Sequence, residues 1–264
     1  MPPARAIGER HIYTVAFLLF GCAAAIALYF LRSMRRGMLM PGDWTMSMMW
    51  MRMPGQEWIE AALVFLGMWV AMMVAMMLPS TLPMLLLYRR TLLAREEPHR
   101  DWLMWTAAAG YFLVWSLFGV AVYVLGLLLA QSAMTSPTIS RAMPLLAGAA
   151  FIFSGVYQLT PWKFACLRHC RNPIFALVHY QQQVSGRRWA AAFHLGLHHG
   201  AFCAACCWAL MLIQLCLGVM SLTAMVAVAG IIAFEKLIAR GALVARAVGI
   251  AAITAGVIVI VRVL

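Results

Sequence analysis

Apolar runs of membrane-spanning length recur along the whole chain, and no other feature narrows its folding options as far. They cover roughly 12–31, 59–78 (continuing past Pro79 and Pro83 to Tyr88), 103–130, 143–160, 191–217, 222–234 and 245–264. A bilayer core about 30 Å thick takes about 20 helical residues to cross, and a helix satisfies its own backbone there. The expected fold class is therefore all-α: a polytopic helical membrane protein, one integral membrane domain over residues 1–264. Seven transmembrane helices are expected, or six if the short run at 222–234 does not cross. Pro79 and Pro83 remove donors from the helix ladder, so a kink or a short second helix is expected there. Residues 161–189 form the longest internal polar segment, and Met40-Pro41-Gly42-Asp43-Trp44 reads as a turn.

Composition excludes the soluble alternatives. Apolar residues make up 65% of the chain and charged ones 11%, far from globular usage. The net charge of +12 would suit a nucleic-acid partner, but the basic residues sit between apolar runs, which is the pattern of membrane topology. With the N-terminus cytoplasmic, 14 of the 20 Lys and Arg residues fall on the inner side. Arg32, Arg35 and Arg36 pull the other way. Seven cysteines lie mostly on that reducing side, so a disulfide framework is not expected. No cleavable signal peptide is expected, because the first run is full length and no small-residue cleavage site follows it.

Chemistry concentrates in His198-His199-Gly200-Ala201-Phe202-Cys203-Ala204-Ala205-Cys206-Cys207. On a helix turning about 100° per residue, His199, Cys203 and Cys206 share one stripe, with Cys207 beside it and His198 on the flank. Imidazole and thiolate are the ligands of borderline and soft metals. One helical face cannot surround an ion, so further ligands must come from elsewhere. Cys166, His169 and Cys170 offer them, again near one side of a single turn. Lone cysteines such as Cys22 and Cys216 read as small packing residues. The candidate metal set is Cys166, His169, Cys170, His198, His199, Cys203, Cys206 and Cys207, and the two clusters are expected to approach each other.

Methionine makes the second pattern. Met68, Met72 and Met76 are spaced i, i+4, i+8, and Met73 and Met77 repeat the spacing one place on. Met38, Met40, Met46, Met48, Met49, Met51 and Met53 precede them in a polar segment expected outside. Thioethers bind Cu(I) without losing a proton and hold Zn(II) or Mg(II) poorly. Methionine is also an ordinary filler of irregular helix contacts. Copper transporters of the Ctr type carry a Met-x-x-x-Met pair in a span and Met-rich outer segments, a likeness of local chemistry that implies no shared fold. Copper is thus the favoured metal cofactor, with zinc the alternative.

Glu235 and Lys236 end the sixth run and are expected at the membrane interface, with Lys236 snorkelling. Tyr157, Gln158 and Thr160, just before the first cysteine cluster, could orient ligands or simply sit in the interface. Paired carboxylates, a phosphate-binding glycine loop and a Ser/His/Asp arrangement are all missing, so a conventional hydrolase or nucleotide enzyme is not expected.

Five blocks and a closing tripeptide together resemble a bacterial family of unknown function, described as predicted metal-binding integral membrane proteins. They are Met68 to Ser80, Gly110-Tyr111-Phe112-Leu113-Val114-Trp115, Gly155 to Lys163, Cys166 to Pro173, and Gly196 to Leu210, closed by Glu235-Lys236-Leu237. The resemblance spans roughly 44–237 and implies a membrane location and a metal site, but no reaction; the expected location is the inner membrane. The leading expectation is a membrane protein that handles copper, by transport or by delivery to a membrane protein partner or metallochaperone. The alternative is a non-transporting structural or assembly subunit of a membrane oxidoreductase, its Cys/His site holding zinc or a redox centre. A thiol-disulfide exchanger is a third reading. No nucleic-acid partner is expected.

Overall fold

The computed structural model describes residues 3–34, 37–52, 55–182 and 188–264; Arg35, Arg36, Met53 and Arg187 lie outside them. The chain is all-α but for one hairpin. In order, the described elements are α1 (Pro3–Ser33), β1 (Gly37–Met40), β2 (Trp44–Ser47), α2 (Trp58–Ala94), α3 (Arg100–Thr135), α4 (Pro137–Leu159), α5 (Pro161–Arg171), α6 (Ile174–Gln182), α7 (Arg188–Leu217), α8 (Leu222–Leu237) and α9 (Gly241–Val263). Among the described residues, six helices are long and apolar enough to cross a membrane: Arg10–Ser33, Trp58–Ala94, Arg100–Thr135, Pro137–Leu159, Arg188–Leu217 and Gly241–Val263. At 16 residues, α8 is shorter than these six.

Two features differ from the expectation, and a third adds a hairpin to an expected turn. First, α2 is one continuous helix through Pro79 and Pro83, with no second helix starting there. The Ser80 hydroxyl donates to the Met77 carbonyl at 3.0 Å, a side-chain donor placed beside the break in the ladder. Second, the polar segment at 161–189 is not a loop. Thr160 caps α5 by accepting from the Lys163 amide, Pro161 takes the first helical position, and α6 follows after Asn172 and Pro173. Third, the turn at Pro41–Asp43 closes an antiparallel hairpin in which Met40 faces Trp44 and Met38 faces Met46. Gly42 takes φ +101° at that turn, a conformation open to glycine.

The bundle is held by α3 against α7, α4 against α9, and α2 against α1 and α3, while α5 and α8 both pack on α7. The α3–α7 crossing depends on glycine: a Cβ on Gly196 would lie 2.0 Å from the Ala107 carbonyl oxygen. This close approach sets Tyr111 of α3 against the cysteine face of α7. The main core cluster then joins Met68, Trp69, Met72, Met73, Met76 and Met77 of α2 with Tyr111 and Trp115 of α3 and Cys203, Cys206, Cys207, Leu210 and Met211 of α7.

Candidate metal centre

The cysteines of α7 form the inner wall of the site. Spacing of three and four residues puts Cys203, Cys206 and Cys207 on the buried face, and all three are fully buried. α5 lays Cys170 against them. The thiols are then neighbours in the order Cys170, Cys206, Cys207, Cys203. The two clusters therefore meet, through the packing of α5 on α7. Cys166, half-buried, packs against the same core.

The histidines divide by face. His199 is buried, its ring 5.8 Å from Tyr111, toward α3. His198 turns to the α5 side, its ring 5.0 Å from that of His169. His169 stacks on Phe202 at 3.9 Å, and Tyr180 of α6 closes on His198 at 5.5 Å. Nε2 of His169 and Nδ1 of His198 are buried atoms without a hydrogen-bond partner. An orphaned buried nitrogen is costly, and a metal ion is one way to satisfy it. Burial also holds the His169 imidazole below its ordinary range, so it is neutral and free to ligate. Among the described residues, no group of three or more His, Cys, Asp or Glu side chains is placed so that it could hold a metal ion together. What is present is a line of four thiols with a facing pair of imidazoles beside it.

Two buried cations border the thiols. Lys163 of α5 is fully buried, donating to the Cys206 carbonyl at 2.8 Å and to Glu235 Oε2 at 2.6 Å. Glu235 is equally buried and accepts from Gln158 Nε2 at 3.0 Å. Burial alone would depress the Lys163 ammonium, but Cys206, Glu235 and Cys207 outweigh it and raise its pKa. On α8, Lys236 sends its Nζ inward to Cys203 Sγ, 2.9 Å away, and reaches Ser80 Oγ at 3.5 Å. Tyr111 OH lies 2.9 Å from the same sulfur. Cys203 Sγ thus has an ammonium and a phenol as its polar neighbours.

The interfacial placement of Glu235 and Lys236 is thus overturned. Both point into the protein because Lys163 and Cys203 offer them partners that an isolated helix end lacks. The signal for this was in the composition. Of the 20 basic residues only Lys163 and Lys236 are lysines, and both reach atoms of the cysteine cluster. Sequence reasoning also missed Tyr111, and it left Gln158 as one of two options; the structure makes it a donor to Glu235. Tyr157 instead donates to the Ala205 carbonyl at 2.6 Å, and Thr160 serves as the α5 cap.

The methionine stripe faces inward. Met68, Met72, Met73, Met76 and Met77 are all buried in the core cluster that holds the thiols. Gln214 of α7 bonds Met72 Sδ at 3.5 Å, fixing the antiparallel register of the two helices. From Gln214 the α7 face returns through Met211 and Cys207 to Cys203, while α2 runs from Met72 through Met76 to Ser80 beside Lys236. The outer methionines separate. Met40 and Met46 pack on Ala130 and Ala133 of α3, whereas Met48, Met49 and Met51 line a pocket over Met68.

Residues 66–259 match the model of a family described as PpoB2, copper chaperone. No curated protein and no solved structure matches the chain.

Proposed function

We propose, for a chain that belongs to the PpoB2 family of copper chaperones, that its cargo is Cu(I), carried inside a membrane-spanning bundle and delivered to a partner protein. The observation that carries this reading is the shared core: the thioethers of α2 and the thiols of α7 line one buried interior. Soft sulfur donors select Cu(I) over harder ions. Cu(I) would move from neutral thioethers to the thiols, each ligating thiol giving up its proton. Two thiolates on one Cu(I) leave a net negative charge, which the buried ammonium beside Cys203 offsets. Cys170, Cys203, Cys206 and Cys207 are the proposed resting ligands. His169 and His198, with Cys166 close by, are proposed as the hand-off side, and His199, on the α3-facing side of α7, backs the thiols.

The membrane setting is supported by the exterior. Phe153 and Val156 of α4, Ile250 and Val257 of α9, and Leu117 and Leu125 of α3 are exposed, and lipid is the solvent in which such a surface is stable. We place the protein in the inner membrane as a multi-pass chain of seven spans, with six as the alternative. Seven is supported by α4 and α9 packing antiparallel, Gly148 on Gly256 and Gly155 on Gly249, which takes a return crossing through the short α8. The N-terminus and the thiol end are assigned to the cytoplasm by the arginine bias.

The test is metal content after anaerobic purification in detergent. The wild-type chain should retain copper, and Cys203→Ser with Cys206→Ser should lose most of it. Recovery of zinc in place of copper would favour the structural-subunit alternative.

A further inference from the structure

The outer methionines do not form a disordered collecting loop. We infer that Met34, Met48, Met49 and Met51, with Met68 as the floor, form a separate soft-metal acquisition site at the far end of the sulfur stripe. It takes a monovalent d¹⁰ ion, Cu(I) or its analogue Ag(I). This deepens the copper reading above and rests on it.

The pocket lies between the end of α1, the turn after β2, and the start of α2. Its thioethers come from three segments: Met34 from α1, Met48, Met49 and Met51 from the turn, and Met68 from α2. The hairpin that leads into this turn is held in place from the other side. Trp44 Nε1 donates to the Ser140 carbonyl at 2.9 Å, and the Ser140 hydroxyl donates to the Pro41 carbonyl at 2.8 Å. Trp50 packs its ring on Phe65 at 5.4 Å and lies so close to Gly126 of α3 that a Cβ there would stand 2.2 Å from the indole. Ser47 Oγ accepts from the Met49 amide. Met40 and Met46 are used up as anchors against α3. Met48, Met49 and Met51 are half-buried and grouped over Met68, Met51 touching the anchor cluster as well.

Among the described residues, the lining carries no carboxylate, and Gln56 is its one polar side chain. Hard divalent ions need several oxygen ligands and charge, and the described lining offers one amide oxygen and no charge. Met68 belongs both to this pocket and to the core stripe. From it, Met72 and Met76 follow at single-turn intervals, about 12 Å along the α2 axis at 1.5 Å per residue. An ion released from the pocket thus meets the next thioether one turn inward.

The experiment uses the full-length apo protein in detergent, labelled with [methyl-¹³C]methionine and titrated with Ag(I) at about pH 5, where thiolate sites are weakened and thioethers are not. Three forms are compared: wild type, the triple variant Met48→Leu/Met49→Leu/Met51→Leu, and Cys203→Ser/Cys206→Ser/Cys207→Ser. The inference requires saturable shifts of the assigned Met48, Met49 and Met51 methyl signals in wild type and in the cysteine variant. It requires none with Zn(II), and at least a tenfold weaker first Ag(I) equivalent in the methionine variant. Should the triple variant fold poorly, Met34→Leu alone must weaken the same equivalent at least threefold. Unmoved pocket methyls, or a methionine variant that binds Ag(I) like wild type, would overturn the site while leaving the thiol centre standing. A cysteine variant that keeps its full copper content would instead remove the reading on which the site rests.

Discussion

The clamp between Lys163 and Glu235 allows the sharpest energetic prediction. Both side chains are fully buried, their charged atoms 2.6 Å apart, and Lys163 also donates to the Cys206 carbonyl. Lys163→Met keeps most of the stem volume but removes the charge. Glu235 is then left with Gln158 as its remaining partner. Breaking a buried pair from one side costs about 3–5 kcal/mol, because the surviving charge is stranded away from water. Glu235→Leu should cost a similar amount by stranding the ammonium. Replacing both ions with apolar groups removes both stranded charges, and such swaps range from neutral to stabilising. The double variant Lys163→Met/Glu235→Leu should therefore recover at least half of either single loss, even with the Cys206 carbonyl and Gln158 amide unpaired. SDS titration in mixed micelles, read by tryptophan fluorescence, measures all four corners of the cycle. Single variants within about 1 kcal/mol of wild type, or a double variant equal to the sum of the two, would refute the reasoning.

Met72→Leu/Met76→Leu should cost under about 1.5 kcal/mol in the same unfolding assay, since the volumes match. It should lower copper transfer in cells while the thiols keep metal supplied from the inside; copper sensitivity at matched expression reads the difference. Lys236→Met should reduce copper retention and Lys236→Arg should not restore it, because a planar guanidinium cannot replace a compact ammonium between Cys203 and Ser80; metal analysis after dialysis against a chelator measures this. Burial pushes the Cys166 thiol up, and the neighbouring Lys163 offsets only part of that. Its thiolate therefore appears only above the usual thiol range, so alkylation of the apo protein should be slow at neutral pH and rise later than for a peptide cysteine. Equal rates across the titration would contradict the burial of that thiol.

Element type was the most legible level of this fold. Runs of about 20 apolar residues announce helices directly, since the length follows from the medium. The helical spacing of His199, Cys203 and Cys206, with His198 on the flank, translated into the observed faces without change. The polar segment hid its helices because α5 and α6 are held by partners outside themselves: Lys163 of α5 is buried against Glu235, and Tyr180 of α6 packs on His198. Continuity of α2 through two prolines was equally invisible, because the packing of its buried face on α1, α3 and α8 holds the helix together. Glu235 and Lys236 looked interfacial for the same reason: a charge is read as solvated until the group that pairs with it is known. The methionines of the hairpin could be counted but not sorted, since anchors and pocket differ only in which side of a turn they face.

The central claim is that Cu(I) rests on the sulfur atoms gathered by α5 and α7. Copper K-edge absorption of the anaerobically loaded, full-length protein tests it most directly. The account predicts a copper(I) edge and a first shell dominated by sulfur, unchanged in Met72→Leu/Met76→Leu and lost in Cys203→Ser/Cys206→Ser/Cys207→Ser. A shell of nitrogen and oxygen alone, or a sulfur shell that survives the cysteine substitutions, would contradict it.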